Sequence, residues 1–327
     1  MKIINRLKAF LIDTLIWLYL LGSGLYFANL FGLEFPVYII FPIAIVVATI
    51  THIMKDSPGL ALFVSKKNIW YKSISGWLIV VILITTMAVG WSVVEVDLYK
   101  FFTKGANAKG IVSGLFDPNF KIIELCLSAL VETIFLALLA TVLAIPLAFT
   151  LSFLAARNLM PKTFWGNTIY YVVRTIATIF RSIEAVVWAI IFSVWVGIGP
   201  FAGMLALMIH SVAALTKLYS EQIENIDSGQ VEAIKATGAS TLQVWIFAVI
   251  PQIISPYLAF TIYRWDINVR MATIVGFVGG GGIGLLLLQQ QQLLRWHNVG
   301  VIIWLIAIVV WIMDMVSGKV REKLQDM

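Results

Sequence analysis

Long uncharged, mostly apolar runs recur along the chain, at residues 14–33, 35–54, 73–94, 133–156, 185–216, 236–263, 271–294 and 296–313. A helix crosses the hydrocarbon core of a bilayer with about 20 such residues, so the pattern predicts a series of spanning helices. Two adjustments follow from the polar positions. The fifth run is cut by Val196-Gly197-Ile198-Gly199-Pro200, a turn signal, and so holds the end of one helix and the whole of the next. The sixth and seventh flank a polar insert, Arg264 to Arg270, and together make one span. The expectation is an all-α polytopic membrane protein with about eight transmembrane helices.

Composition agrees. Of 327 residues 61% are hydrophobic and 12% charged, about half the charge of a soluble domain, so a water-soluble globule is excluded. The net charge of +6 is not the footprint of a nucleic-acid binder, because the basic residues fall in short groups between apolar runs and form no stripe. The single cysteine, Cys126, lies in an apolar run and allows neither a disulfide nor a thiolate metal cluster. The partner implied by composition is membrane lipid.

The basic groups read as topology signals. With the first residues inside, the inner segments hold Lys2, Arg6, Lys8, Lys55, Lys66, Lys67, Lys72, Arg157, Lys162, Arg174, Arg181, Lys217, Lys235, Lys319, Arg321 and Lys323. The outer segments hold only Lys100, Lys104, Lys109, Lys121 and Arg295. The bias predicts both termini in the cytoplasm. The first run is longer than the 7 to 15 residues of a signal-peptide core and lacks a small-residue cleavage site, so it is expected to be retained as a span.

One inner loop carries a pattern of its own. Val231, Ala233, Ile234 and Ala236 give a short helix a weakly apolar face, Gly238 supplies the left-handed conformation that ends it, and Ser240 with Gln243 forms a capping box that starts a second helix. Pro251 marks the beginning of the next span. Taken alone, such a hairpin is either an interfacial helix resting in the headgroups or a docking element.

The residues themselves narrow the choice. Glu232-Ala233, Gly238 and Pro251 are similar in spacing to the signature of ABC importer permeases, with Ile234 in place of the third alanine and Ala248-Val249-Ile250 before the proline. Arg181-Ser182-Ile183-Glu184, Val187-Trp188-Ala189, residues 196–203, Lys217-Leu218-Tyr219-Ser220-Glu221, residues 264–270 and the glycine-rich 276–284 resemble the phosphonate ABC transporter permeases. That family commonly has proline at Ile183, glutamate at Asp266 and alanine at Gly280.

The resemblance covers roughly residues 74 to 321 and implies a five-helix importer core at 122–321, a coupling hairpin at 221–250 and a cytoplasmic tail at 322–327. Residues 1–72 are then two extra N-terminal spans, and 73–121 a third span with an external loop. It also implies an ATPase subunit docking on Glu232, Ala233, Gly238 and Ser240, an extracytoplasmic phosphonate-binding protein, and a homodimer of permeases. It implies import of a phosphonate or a related phosphorus oxyanion.

Ionisable groups inside a span are costly and face protein or water. At 100° per residue Arg174, Arg181 and Glu184 share one helix face, Arg264 and Asn268 another, and Asp266 pairs with Arg270 at i, i+4. Arg264 and Asn268 either line a path for an oxyanion, whose oxygens a guanidinium fork matches, or pack between helices. The path reading extends to Arg270, Glu184 and Arg181. Gly276, Gly280 and Gly284 recur every four residues, which fits close helix packing, whereas the run Gly279 to Gly282 fits an unwound stretch.

No phosphate-binding G-x-x-x-x-G-K-[ST] loop, zincin motif or nucleophile elbow occurs, so the chain cannot hydrolyse ATP by itself, and no cofactor motif or metal-spaced His pair is present. An ion-gradient-driven secondary transporter is the alternative function, and it calls for paired broken helices. An ABC importer permease for a different small solute is another.

Overall fold

The computed structural model describes residues 2–33, 35–53, 57–60, 74–105 and 109–325. Lys55, Lys66, Lys67 and Lys72, which count toward the orientation, lie outside them. Every regular element among the described residues is helical. The chain forms two compact units, Met1–Gly105 and Ala106–Met327.

The first unit contains α1 (Lys2–Leu30), α2 (Ile40–Ile53), α3 (Ile74–Val93) and the short α4 (Leu98–Thr103). The boundary after Gly105 groups the third span with the first two, because α1 packs on both α2 and α3. Tyr19 and Tyr26 of α1 hydrogen-bond to Thr86 and Ser92 of α3, at 2.6 and 3.3 Å. On the opposite side, the buried Asp13 accepts from Ser57 Oγ at 2.6 Å and from the Gly59 amide at 2.7 Å. Gly59 lies so near the α1 backbone that a Cβ there would stand 2.1 Å from the Ala9 carbonyl oxygen. Outside the spans, Asp97 caps α4 by accepting the Lys100 amide, and this bond together with the Lys100 ammonium holds its carboxyl below the usual range.

The second unit runs through α5 (Lys109–Phe116), α6 (Ile123–Leu154), α7 (Phe164–Ser182), α8 (Ala185–Val196), α9 (Pro200–Glu224), α10 (Ser228–Ala236), α11 (Thr241–Val244), a π-helical turn at Trp245–Val249, α12 (Ile250–Gly276), α13 (Gly282–Gln292) and α14 (Trp296–Gln325). Its centre is built from small residues. Ala137 and Ala140 of α6, Ala185 and Ala189 of α8, Ala202 and Ala206 of α9 and Ala272 of α12 are essentially inaccessible, while Phe135, Leu139 and Val142 on the other faces of α6 are exposed. Lipid is as apolar as leucine, so large side chains gain nothing by turning inward, and close backbone approach decides which face is buried.

Six helical stretches among the described residues are long and apolar enough to cross a membrane: Ile4–Leu30, Gly76–Val93, Phe120–Leu154, Pro200–Glu224, Thr241–Gly276 and Trp296–Leu324. The eight expected spans are therefore not eight straight helices. The second is the shorter apolar stretch Val37–Ile53, and the fifth is the pair α7 and α8, bent by 89°.

That bend corrects a face assignment. The helix ends at Ser182, Ile183 is extended (φ −92°, ψ 120°), and Glu184 becomes the N-cap of α8, so Glu184 does not continue the face of Arg174 and Arg181. No ion pair joins Arg181 to Glu184. The carbonyls freed at the break are satisfied locally, as a helix end requires: Ser182 Oγ donates to Ile179, Trp188 Nε1 to Phe180 at 3.4 Å, and His210 Nδ1 to Ile183 at 3.1 Å. The Phe180 and Trp188 rings stack across the bend at 5.0 Å.

The glycine run resolves toward an unwound stretch. The helix stops at Gly276, Gly279 and Gly281 have φ of 92° and 77° before α13 begins, and its first residue, Gly282, has φ 67°. Close packing occurs as well, since a Cβ on Gly284 would meet the Thr273 carbonyl oxygen at 1.9 Å. The new helix start is tied to α6 by Glu132 Oε1, which accepts from the Gly282 amide, and by Thr133 Oγ1, which accepts from that of Ile283. In the glutamine run, Gln290 is buried and accepts from Asn298, which in turn accepts from Asn119.

Candidate functional site

Two constellations emerge in the second unit. The first is the hairpin. Asp227 caps α10 by accepting the Gly229 amide at 2.9 Å, and Gly238, at φ 80°, turns the chain with open space around its α-carbon. Gln243 Oε1 then accepts both the Ser240 amide at 2.8 Å and the Ser240 hydroxyl at 3.0 Å, pairing the two residues at the start of α11.

Part of the apolar side of the hairpin packs on the protein. Val231 and Trp245 pack against the cluster of Phe153, Ile223 and Val249, with the Trp245 and Phe153 rings 5.1 Å apart. The Asp227 amide also donates to Gln252 of α12 at 2.9 Å. The element is thus fixed to the ends of α6, α9 and α12, and its outer side presents Glu232, Ala233, Gly238 and Ser240, all exposed.

The second constellation is buried on α12. Asn268 is fully inaccessible; its Nδ2 donates to Thr141 of α6 at 2.9 Å and to Ser211 of α9 at 2.8 Å, and Ser211 donates back to its Oδ1 at 3.2 Å. Arg264, one turn earlier and 5% exposed, donates from Nε to Ser211 at 3.0 Å, while its Nη2 is buried without a partner. Among the described residues no carboxylate forms an ion pair with Arg264.

Asp266 and Arg270 lie on the other face. Asp266 is buried and bonded to Arg270, whose guanidinium is partly exposed and also within 3.9 Å of Asp314 on α14. Arg174 and Arg181 fall near the hairpin end of α9. Arg174 is held by Glu224 at 2.8 Å and by the Tyr170 hydroxyl at 2.7 Å, whereas Arg181 has neither an ion pair nor a side-chain hydrogen bond among the described residues. Thr141, Ser211 and Glu224 carry no signal in the sequence, since isolated Ser and Thr are ordinary in spans and only packing shows what they face.

An all-helical membrane core with a helical hairpin fixed at one end is the architecture of an ABC importer permease. The chain belongs to the family described as the binding-protein-dependent transport system inner membrane component, which matches residues 148–319. Among its relatives, HtxC of Stutzerimonas stutzeri, provisionally named a phosphite transport system permease protein, is 32% identical over 246 residues, 75% of this chain and 86% of that protein. The phosphite transport system permease protein PtxC of the same organism is 34% identical over 205 residues, 63% of this chain and 73% of that one. The phosphate-import permease protein PhnE of Mycolicibacterium smegmatis is 30% identical over 244 residues, 74% of this chain but 45% of that longer protein.

The fold is shared with a permease of the MetNI methionine ABC transporter in an inward-facing conformation, at a TM-score of 0.53 and 20% identity, covering 63% of this chain and 99% of the other. The protein is a multi-pass membrane permease subunit of an ABC importer.

Proposed function

We propose that this permease carries a phosphorus oxyanion, of the phosphite, phosphate or phosphonate class, inward as a homodimer with both termini cytoplasmic. A separate ATPase docks on the hairpin side bearing Glu232, Ala233, Gly238 and Ser240, and an extracytoplasmic binding protein delivers the anion. The observation that carries the reading is the likeness to phosphite permeases across three quarters of the chain.

The chemistry of α12 supports it. An unpaired guanidinium in a span costs at least about 2.5 kcal/mol, and Arg264 keeps its Nη2 without a partner in the unit's centre. A dehydrated oxyanion passing Arg264 would satisfy that nitrogen and offset its charge, with Asn268 holding the helix in register. Arg270, engaged with Asp266 and Asp314, holds α12 to α14.

The test is uptake by proteoliposomes holding the permease, its ATPase and its binding protein. Phosphite, phosphate and methylphosphonate are offered in turn, with ATP inside the compartment that carries the ATPase. ATP-dependent accumulation of at least one of them is expected. Accumulation of none, or accumulation driven by an ion gradient without ATPase, overturns the reading.

A further inference from the structure

We infer that a small basic cavity between α7 and α9, beside the coupling hairpin and apart from Arg264, binds a phosphorus oxyanion, either a free anion or the headgroup phosphate of a lipid. It encloses about 130 Å³, below the roughly 300 Å³ of sites for drug-sized ligands, and so suits one tetrahedral group.

Three cations, Arg174 and Arg181 from α7 and Lys217 from α9, line it together with the hydroxyls of Thr178 and Ser220. One carboxylate, Glu221, is also in the wall, 3.6 Å from the Lys217 ammonium, and Glu224 lies behind Arg174. Arg174 and Lys217 thus have ion-pair partners, and Arg181, among the described residues, has none. Its fork is free, on a helix end where the chain turns away, in a wall that keeps a positive excess. Guanidinium groups bind phosphate oxygens in pairs, so the unengaged Arg181 is the primary contact.

Thr216 points independently to a ligand. Threonines in the spans of this protein return their hydroxyl hydrogen to the carbonyl four residues back, as Thr133, Thr141, Thr178 and Thr261 do. Thr216 is fully buried, lines the cavity, and its Oγ1 has no partner. An unsatisfied buried hydroxyl is costly, and an oxyanion accepts what the backbone does not.

Both sources of the group have a route. Ala177 and Thr216 also line an adjoining apolar groove of about 240 Å³, walled by Leu147, Val173, Phe180 and Met208, where an acyl chain fits beside a headgroup. The cavity's position on the last turns of α9 before the hairpin equally suits an imported anion on its way out. Only the preference for phosphorus over other tetrahedral anions rests on the proposed substrate class.

The full-length permease is purified into phosphatidylcholine nanodiscs, and inorganic phosphate, phosphite and sulfate are titrated at fixed ionic strength. In parallel, phosphatidylglycerol retained through detergent exchange is measured by mass spectrometry. Saturable phosphate or phosphite binding that weakens tenfold or more in Arg181→Gln, the loss of one charge-assisted hydrogen bond, and recovers partly in Arg181→Lys assigns the free anion. Retained phosphatidylglycerol that is lost in Arg181→Gln assigns the headgroup.

Thr216→Val, nearly isosteric, weakens the same signal with the fold intact, and Lys217→Gln serves should Arg181→Gln not be monodisperse. Binding of neither, equal binding by all variants, or tighter sulfate than phosphate binding overturns the inference. Because neither ATPase nor binding protein is present, failed uptake with intact binding removes only the transport reading, and uptake without binding removes only this site.

Discussion

His210 Nδ1 lies 3.1 Å from the carbonyl oxygen of Ile183, the residue at which the chain turns between α7 and α8. The imidazole N–H satisfies a backbone acceptor that the broken helix has freed, and it does so from α9, holding the bend against the next span.

His210→Leu therefore leaves the Ile183 carbonyl without a donor, at a cost of about 1–3 kcal/mol. The unfolding midpoint of the purified protein falls, and His210→Gln, which keeps an N–H, falls less. An unchanged midpoint in His210→Leu would show that the bend is held by packing of Phe180 on Trp188 alone.

Two glycines are expected to fail differently. Gly238→Leu meets the left-handed backbone penalty of roughly 1 kcal/mol at an exposed turn with open space around it, so the protein inserts and folds but loses co-purification with its ATPase. Gly284→Ala places a methyl 1.9 Å from the Thr273 carbonyl oxygen, so α12 and α13 separate and the yield of folded protein drops. Retention of both ATPase and transport by Gly238→Leu refutes the coupling role of the hairpin.

Removing charges on the two faces of α12 is also expected to split. Arg264→Gln keeps the Ser211 hydrogen bond within reach of an amide and retains fold and ATPase docking, while uptake is lost. Asp266→Asn strands Arg270 beside Asp314 alone and lowers thermal stability by about 1–3 kcal/mol, the cost of breaking a partly buried charged hydrogen bond. Equal loss of folded protein in both variants makes Arg264 a packing residue.

Orientation is checked by labelling. The native Cys126 is fully buried, so single cysteines report cleanly. Lys104→Cys reacts with an impermeant maleimide added outside cells, and Lys235→Cys reacts only after permeabilisation. The reverse pattern places both termini outside.

Much of the fold is legible in the chain because lipid imposes a one-dimensional rule: about 20 apolar residues per crossing. Helix Ile74–Val93 lies within the run 73–94, and the run 296–313 lies within helix Trp296–Gln325. The hairpin is equally legible, since caps and a left-handed glycine are local devices that act within four residues. Ser240 with Gln243, and Gly238 at φ 80°, depend on nothing distant.

Hydropathy, capping chemistry and i, i+4 spacing thus suffice for a helical membrane protein, its straight spans, the two-helix hairpin and the Asp266–Arg270 pair. The helix break between Arg181 and Glu184, the satisfaction of Asn268 by Ser211 and Thr141, and the convergence of Arg174, Arg181 and Lys217 on one cavity are visible only in three dimensions. The reason is physical. A helix face is fixed by a 100° step only while the helix continues, and in lipid the burial of Ala, Ser and Thr is chosen by which backbones approach, a property that periodicity does not encode.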